Sequence, residues 1–456
     1  MSIYDPQLGR VTIDSSSPKL IAGFDWAKSQ ALAYVSDGKQ PVGKFYEAAL
    51  PGRDAFCMRD LSHQSVGANV LGLQDYTKNM LFKFAEGISD SRDWCTFWEI
   101  DKYDRPAPVD YTDDSDFWYN LPANFDMLDC CYKQYLWTGD RDYVDHPVFR
   151  NFYERTVTDY IDRWDKDKDG FPEHYASYGR RGIASYVEDG LHPLLGGDVL
   201  AAQYAAFGAY SRFLAISGQA ALAELYENKA KVIRELYNRE WWNEENGRFN
   251  GALMQDRWGY PGFYYSATYL PFYFDLVEPG DRKKRALRDV VHHGGSNVEE
   301  KSHLAEIFYK HGLNREAYSA LLEMMDPQLK RREYPEVSYS VIGAMFTGAM
   351  GLSADAHRQS LVTMSRLTDT IEWIEAKNIP IMSGQIDIAH ANGRESTLTN
   401  GTGRTIRWEA RFSGSHKKLC VNGTDTPASI GGDGNGEFVS TAVVELNPGD
   451  RATVKI

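Results

Sequence analysis

The segment Ser185-Tyr186-Val187-Glu188-Asp189-Gly190 sets two carboxylates side by side just ahead of an apolar stretch that opens at Asp198. Much later, Arg332-Glu333-Tyr334-Pro335-Glu336-Val337-Ser338-Tyr339-Ser340 brings Glu336 to the start of the small-residue run Val341 to Leu352. Carboxyl groups that meet from distant parts of a chain can cleave a glycosidic bond. One protonates the leaving oxygen, and the other activates water across the sugar. Glu336 fits the base of such a pair, and the Glu188-Asp189 doublet fits the acid. The same residues also fit solvated acidic turns, or the first turn of a helix.

A second group mixes rings with charges. It comprises Phe24-Asp25-Trp26, Tyr46-Glu47, Gly52-Arg53-Asp54-Ala55-Phe56-Cys57-Met58-Arg59-Asp60 and Phe117-Trp118-Tyr119-Asn120-Leu121-Pro122-Ala123-Asn124-Phe125-Asp126. Burying such polar groups unpaired costs several kcal/mol each, so a polar pocket with aromatic walls explains the density better than a core does. Sugars present flat C–H faces that stack on rings, and hydroxyls that suit carboxylates and amides. Trp26, Arg59, Trp118, Tyr119, Asn120, Asp126 and Glu333 are therefore candidate sugar contacts, with Asp60 the first choice for clamping hydroxyls.

Trp164-Asp165-Lys166-Asp167-Lys168-Asp169-Gly170-Phe171-Pro172-Glu173 carries oxygen donors at alternate positions and then a glycine for a sharp turn, as a calcium loop begins. An EF-hand would need a bidentate Glu where this chain has Ala176, so Asp165, Asp167 and Asp169 would be completed by Glu173 or a distant carboxylate. The competing reading is a solvated turn after a helix. A structural Ca2+ is thus the one cofactor expected, and no organic cofactor is.

Absent motifs narrow the chemistry. There is no GxSxG elbow, P-loop, HExxH or GxGxxG ahead of a strand, and His292-His293 lacks metal spacing. A formal net charge of −14, with no basic run longer than Lys330-Arg331-Arg332, argues against nucleic acid as a partner. No run approaches the roughly 18 apolar residues of a membrane helix. The five cysteines (Cys57, Cys95, Cys130, Cys131 and Cys420) show no zinc-like spacing and require no oxidising compartment. Met1-Ser-Ile-Tyr-Asp-Pro has no basic start and no apolar run, so no leader is expected. The chain reads as cytoplasmic as it stands, or as periplasmic or secreted if a leader has been removed.

Helices must position these groups. Asp198 to Ile216 is apolar and rich in small residues, with Asp198 as a candidate cap; Ser217-Gly218 ends it, and Gln219 to Asn238 is amphipathic. The alternation recurs over Asn297 to Met325 and over 337–370. Six such hairpins close an (α/α)6 barrel whose loops at one end form the active face. After Asn378 the period becomes two, with turns at Asn392-Gly393, Asn400-Gly401 and Asn422-Gly423, predicting five or six antiparallel strands. The expected organisation is a lead-in over 1–40, read either as a strand or as an entry segment, a barrel over 41–372 and a β-sandwich over 373–456.

At these residues the chain resembles the six-hairpin glycosidases, which include glucoamylases, trehalases, processing α-glucosidases and α-L-rhamnosidases. Asp165 to Glu173 is similar to a calcium loop in bacterial relatives of the processing α-glucosidases. Tyr186-Val-Glu188-Asp189 resembles the general-acid segment of glucoamylases, which implies Glu188 as acid with Asp189 its rival. Pro335-Glu336 through Ser340 resembles the late segment near the base; the family base lies further upstream of its helix, so Glu333 and Glu323 are rival bases. Arg59-Asp60 resembles the position whose Asp grips the first sugar, and Leu419-Cys-Val-Asn-Gly423 is similar to the trailing β-domain of rhamnosidase-like proteins. The resemblance implies an exo-acting, inverting glycoside hydrolase of an oligo- or polysaccharide. A polysaccharide lyase on the same fold, or a sugar-binding protein without catalysis, is the alternative.

Overall fold

In the computed structural model, described for residues 8–188, 190–368 and 370–456, helices occupy the first three-quarters of the chain and strands the rest. The long helices are α1 (Pro18–Ala33), α2 (Met58–Val70), α3 (Gln74–Glu86), α4 (Ala123–Thr138), α5 (Pro147–Val157) and α6 (Gly197–Ile216). They continue as α7 (Ala220–Glu240), α8 (Tyr265–Tyr273), α9 (Asp281–His293), α10 (Val298–Lys310), α11 (Asn314–Met325) and α12 (Pro335–Gly343). The even-numbered helices pack in sequence, α2 on α4, α4 on α6, α6 on α8, α8 on α10, α10 on α12, and α12 back on α2. That closes an inner ring; the odd-numbered helices pack outside it. This is the expected (α/α)6 barrel.

The two classes differ in composition for a physical reason. An inner helix meets neighbours on nearly every side, so α6 is buried along most of its length and uses Ala and Gly to let backbones approach. Outer α7 buries Ala223, Tyr226, Ala230, Ile233 and Tyr237, a single stripe at helical spacing. Inner helices α2 and α12 approach closely: a Cβ on Gly67 would lie 2.2 Å from the Tyr339 carbonyl oxygen.

Two boundaries differ from the sequence reading. Pro18–Ala33 packs on α12 and belongs to the barrel instead of preceding it. The stretch 353–364, read as the second half of a hairpin, forms the strands Ser353–Asp355 and Ser360–Met364 after a π-helical turn over Ala344–Ala349. The β-domain has more strands than expected. A seven-stranded sheet runs in the order Thr12–Ser15, Trp373–Ile381, Gly384–Ala391, Glu395–Gly401, Arg451–Lys455, Lys418–Val421, Thr424–Pro427. A five-stranded sheet faces it. Thr12–Ser15 joins the first sheet antiparallel to Trp373–Ile381, with Thr12 opposite Lys377. The Trp137 indole at the end of α4 donates to the Pro380 carbonyl at 2.8 Å, tying barrel to sheet. Among the described residues no helix is long and apolar enough to cross a membrane.

Candidate active site

The inner helices all begin at one end of the barrel, and the charged residues of their first turns meet there. Asp60 sits in the first turn of α2, Glu299 in that of α10 and Glu336 in that of α12. Together with Glu188 they line one cavity of about 380 Å3, which Trp98 and Trp118 also line. A second lobe of about 300 Å3 shares Arg59, Glu188 and Glu299 and is walled by Tyr186, Tyr265 and Tyr269.

Arg59 is the hub. Its Nε donates to Asp60 at 3.2 Å, one terminal nitrogen donates to Glu299 at 3.3 Å, and the other lies 3.9 Å from Glu188. Glu188 also accepts the Trp118 indole N–H at 3.2 Å, and its side chain keeps 41% of its exposure. Glu336 is different, being 8% exposed and without a cation beside it among the described ion pairs. Burial first, then the negative charges of Asp60 and Glu299, holds its carboxyl well above the usual carboxylate range. Burial raises Asp60 to about 6 despite Arg59.

A further pair lines the same cavity. Glu99 accepts from Arg53 at 2.7 Å, and burial, with Asp110 adding negative charge, pushes it up to about 7. Burial raises Asp110 as well. Arg53 is aimed by a turn whose Gly52 and Asp54 amides both donate to buried Glu47.

The Glu188 loop is anchored on two sides. Asp198, at the start of α6, accepts from the Ser185 hydroxyl at 2.9 Å and the Tyr186 amide at 2.6 Å, so it pins the loop instead of capping its helix. Asn120 donates from its side chain to the Ser185 carbonyl at 2.8 Å. Asn120 is buried and serves this loop without reaching the cavity. Asp126 lies beneath, accepting from Tyr186 at 2.9 Å and from His63 at 2.7 Å. His63 in turn bonds His303, which lines the second lobe.

The structure thus brings Arg59, Asp60, Trp118, Glu188 and Glu336 together and sets other expected residues apart. Trp26 stacks under the Arg332 guanidinium, 3.5 Å from its ring centre, outside the cavity. Tyr119 is a core residue bonded to Asn124. Glu333 is exposed, offering its main-chain carbonyl to Tyr34, and Glu323 pairs with Lys301 on the outer layer. Asp189 lies outside the described residues. Glu299, Glu99, Asp110 and Trp98 went unread in the sequence, and Arg53 was read only as a member of the ring-and-charge group; Glu299 follows Asn297, whose side chain caps α10, and so looks like an ordinary first-turn acid.

The aspartate loop holds together as expected. Oxygens of Asp165, Asp167 and Asp169 lie within 4.8 Å of one another, and Gly170 takes a φ of +96° at the turn. Glu173 does not join them. It is buried, bonded to Tyr175 at 2.8 Å and to Arg257 at 3.0 Å, and Arg257 also reaches Asp167. Three donors therefore suit a divalent cation, while a guanidinium serves the fourth acid.

No protein-family model matches the chain, and no curated protein matches it in sequence. The fold is shared with solved structures. An α-L-rhamnosidase from Dictyoglumus thermophilum superposes with a TM-score of 0.63 at 12% identity, over 98% of this chain and 51% of that one. A Streptomyces avermitilis α-L-rhamnosidase complexed with L-rhamnose gives 0.58 at 13%, over 98% and 42%. A putative kojibiose phosphorylase from human microbiome gives 0.58 at 10%, over 97% and 64%. The chain spans about half the length of these rhamnosidases. What it shares with them is the architecture, a helical barrel followed by a β-domain.

Proposed function

We propose that this chain is a glycoside hydrolase that removes a terminal sugar from an oligo- or polysaccharide with inversion. One observation carries the reading: carboxyls from three inner helices and one loop share a cavity with two tryptophans at the mouth of the barrel. The fold neighbours named as rhamnosidases support a sugar substrate; the sugar itself is left to experiment.

Burial reverses the roles expected for the pair. A general acid must arrive carrying its proton, and the environment of Glu336 favours the protonated form. Glu188 is half-exposed, accepting an indole N–H and lying 3.9 Å from the Arg59 guanidinium, a place open to solvent that suits the group that activates water. Asp60, fixed by Arg59, grips sugar hydroxyls beside them. Inversion needs the two carboxyls roughly 6.5–9.5 Å apart, with room for water between.

The test is a panel of plant and microbial oligosaccharides followed by proton NMR from the first minutes. Expected is one released sugar of inverted configuration, with Glu336→Gln and Glu188→Gln each slowing release by about 10^2–10^4-fold. Products with a 4,5-double bond would move the chain to the lyases. Sugar binding that survives both substitutions without turnover would leave a binding protein. We further propose that Asp165, Asp167 and Asp169 hold a structural Ca2+.

A further inference from the structure

We propose that the base of the barrel, at the end remote from the cleft, carries a phosphate-binding site. A cavity of about 310 Å3 is lined there by Lys133, Arg212, Lys231, Arg234 and Lys310, against Asp129, Glu227 and Asp275. The cations come from four helices, α4, α6, α7 and α10. The site is separate from the cleft. Tyr273 lines it, while Tyr265, eight residues back along α8, lines the upper lobe, roughly 12 Å away along the helix.

Two of the cations are already neutralised, Lys133 by Asp129 at 2.8 Å and Lys310 by Asp275 at 2.7 Å. Among the described residues no carboxylate pairs with Arg212 or Arg234. Each lies instead over a ring, Arg212 5.6 Å from the centre of Tyr132 and Arg234 6.0 Å from that of Tyr204. The Arg234 Nε is buried with no hydrogen-bond partner. Lys231 approaches Glu235 only to 3.8 Å, on the exposed side of α7.

The surroundings deepen the excess. Lys283 is buried and donates to Asn435 at 3.0 Å. Burial, and then the charges of Lys310 and Arg234 working against Asp275, hold its amine below the ordinary lysine range. Burial, with Lys283 and Lys310 beside it, pushes His311 down to about 4. In a chain of formal net charge −14, five cations against three carboxylates leave this cavity with a local positive excess. A tetrahedral dianion completes it. Two guanidinium forks can each take a pair of its oxygens, and the lysine adds a point charge. A carboxylate, planar and singly charged, fills one fork and leaves the other.

The phosphate is free or carried as an ester on a sugar, since both present the same group. The experiment is calorimetric titration of the full chain with inorganic phosphate at constant ionic strength, balanced with chloride, and then with glucose 6-phosphate. Expected is saturable binding that Arg234→Ala and Arg212→Ala each weaken at least tenfold. Tighter binding of the sugar phosphate would assign the ester, and equal binding the free ion. Arg212 is exposed, so its variant keeps the test decisive even where the Arg234 variant unfolds. Absence of saturable heat with both probes, or an Arg212→Ala protein that binds as tightly as the parent, would overturn the site.

Discussion

Asp60 and Glu336 stand near enough for the charge of each to bear on the other, and their environments separate them. Asp60 has Arg59 to stabilise its anion, whereas Glu336 has burial and like charge against its own. Removing the Asp60 charge removes the largest charge that raises Glu336. Asp60→Asn should therefore let Glu336 lose its proton at lower pH, shifting the alkaline limb of kcat/KM downward, whatever the loss in rate. An unmoved limb would mean that another group carries the proton. At this scale the sequence was partly legible. Glu188 and Glu336 could be found because each stands ahead of or at the opening of an apolar run, and Arg59, Asp60 and Trp118 because rings and charges crowd their segments. Glu99 and Asp110 could not, because their chemistry comes from burial, and the short segments that hold them show no period to reveal it. Tyr119, Asn120 and Asp126 share the composition of a pocket, yet their polar atoms are spent on one another's neighbours and on the Ser185 backbone.

Helix contacts convert those residue types into a site. Asp60 and Glu336 meet because α2 and α12 come together at Gly67, where a Cβ would run into the Tyr339 carbonyl. Gly67→Ala gains helix propensity of up to about 1 kcal/mol but forces the backbones apart, at about 1–3 kcal/mol. A melting temperature lower by a few degrees is expected, together with a fall in kcat, because the carboxyl pair moves with its helices. A thermal melt and a rate on the same variant check both. The aspartate loop belongs to this scale as well. Calcium added to chelated protein should raise the melting temperature, and Asp167→Asn should abolish the rise. A melt indifferent to calcium would leave the loop to Arg257 alone. Hairpins such as α6–α7 and α10–α11 were visible as an apolar helix followed by a striped one. The tail of the last inner helix was misread because Val341 to Leu352 continues smoothly in composition while its backbone widens into a π-turn and then straightens into strands.

Across the whole molecule, ring and sandwich are both closed by residues far apart in sequence. The return of α12 to α2 completes the barrel, and Thr12–Ser15 supplies the edge of a sheet whose other strands begin at Trp373. The sequence announced repeated hairpins and a barrel closed from six of them, but not which helices would meet at the closure, since no local pattern says which helix a final helix will meet. It left the first forty residues open for the same reason: Thr12–Ser15 has no hairpin partner nearby. Deleting residues 1–16 would bare the edge of Trp373–Ile381. The expected outcome is a less stable chain that associates through that edge, seen as a lower melting temperature and a concentration-dependent sedimentation profile. A monomer as stable as the parent would show the strand to be dispensable. The pairing of Thr12 with Lys377 also bears on synthesis. A ribosome adding about 5–20 residues per second makes Thr12 roughly 20–70 seconds before its partner strand exists. For that interval the nascent strand has nowhere to dock, so the edge of this sheet closes only once Trp373–Ile381 has emerged from the ribosome.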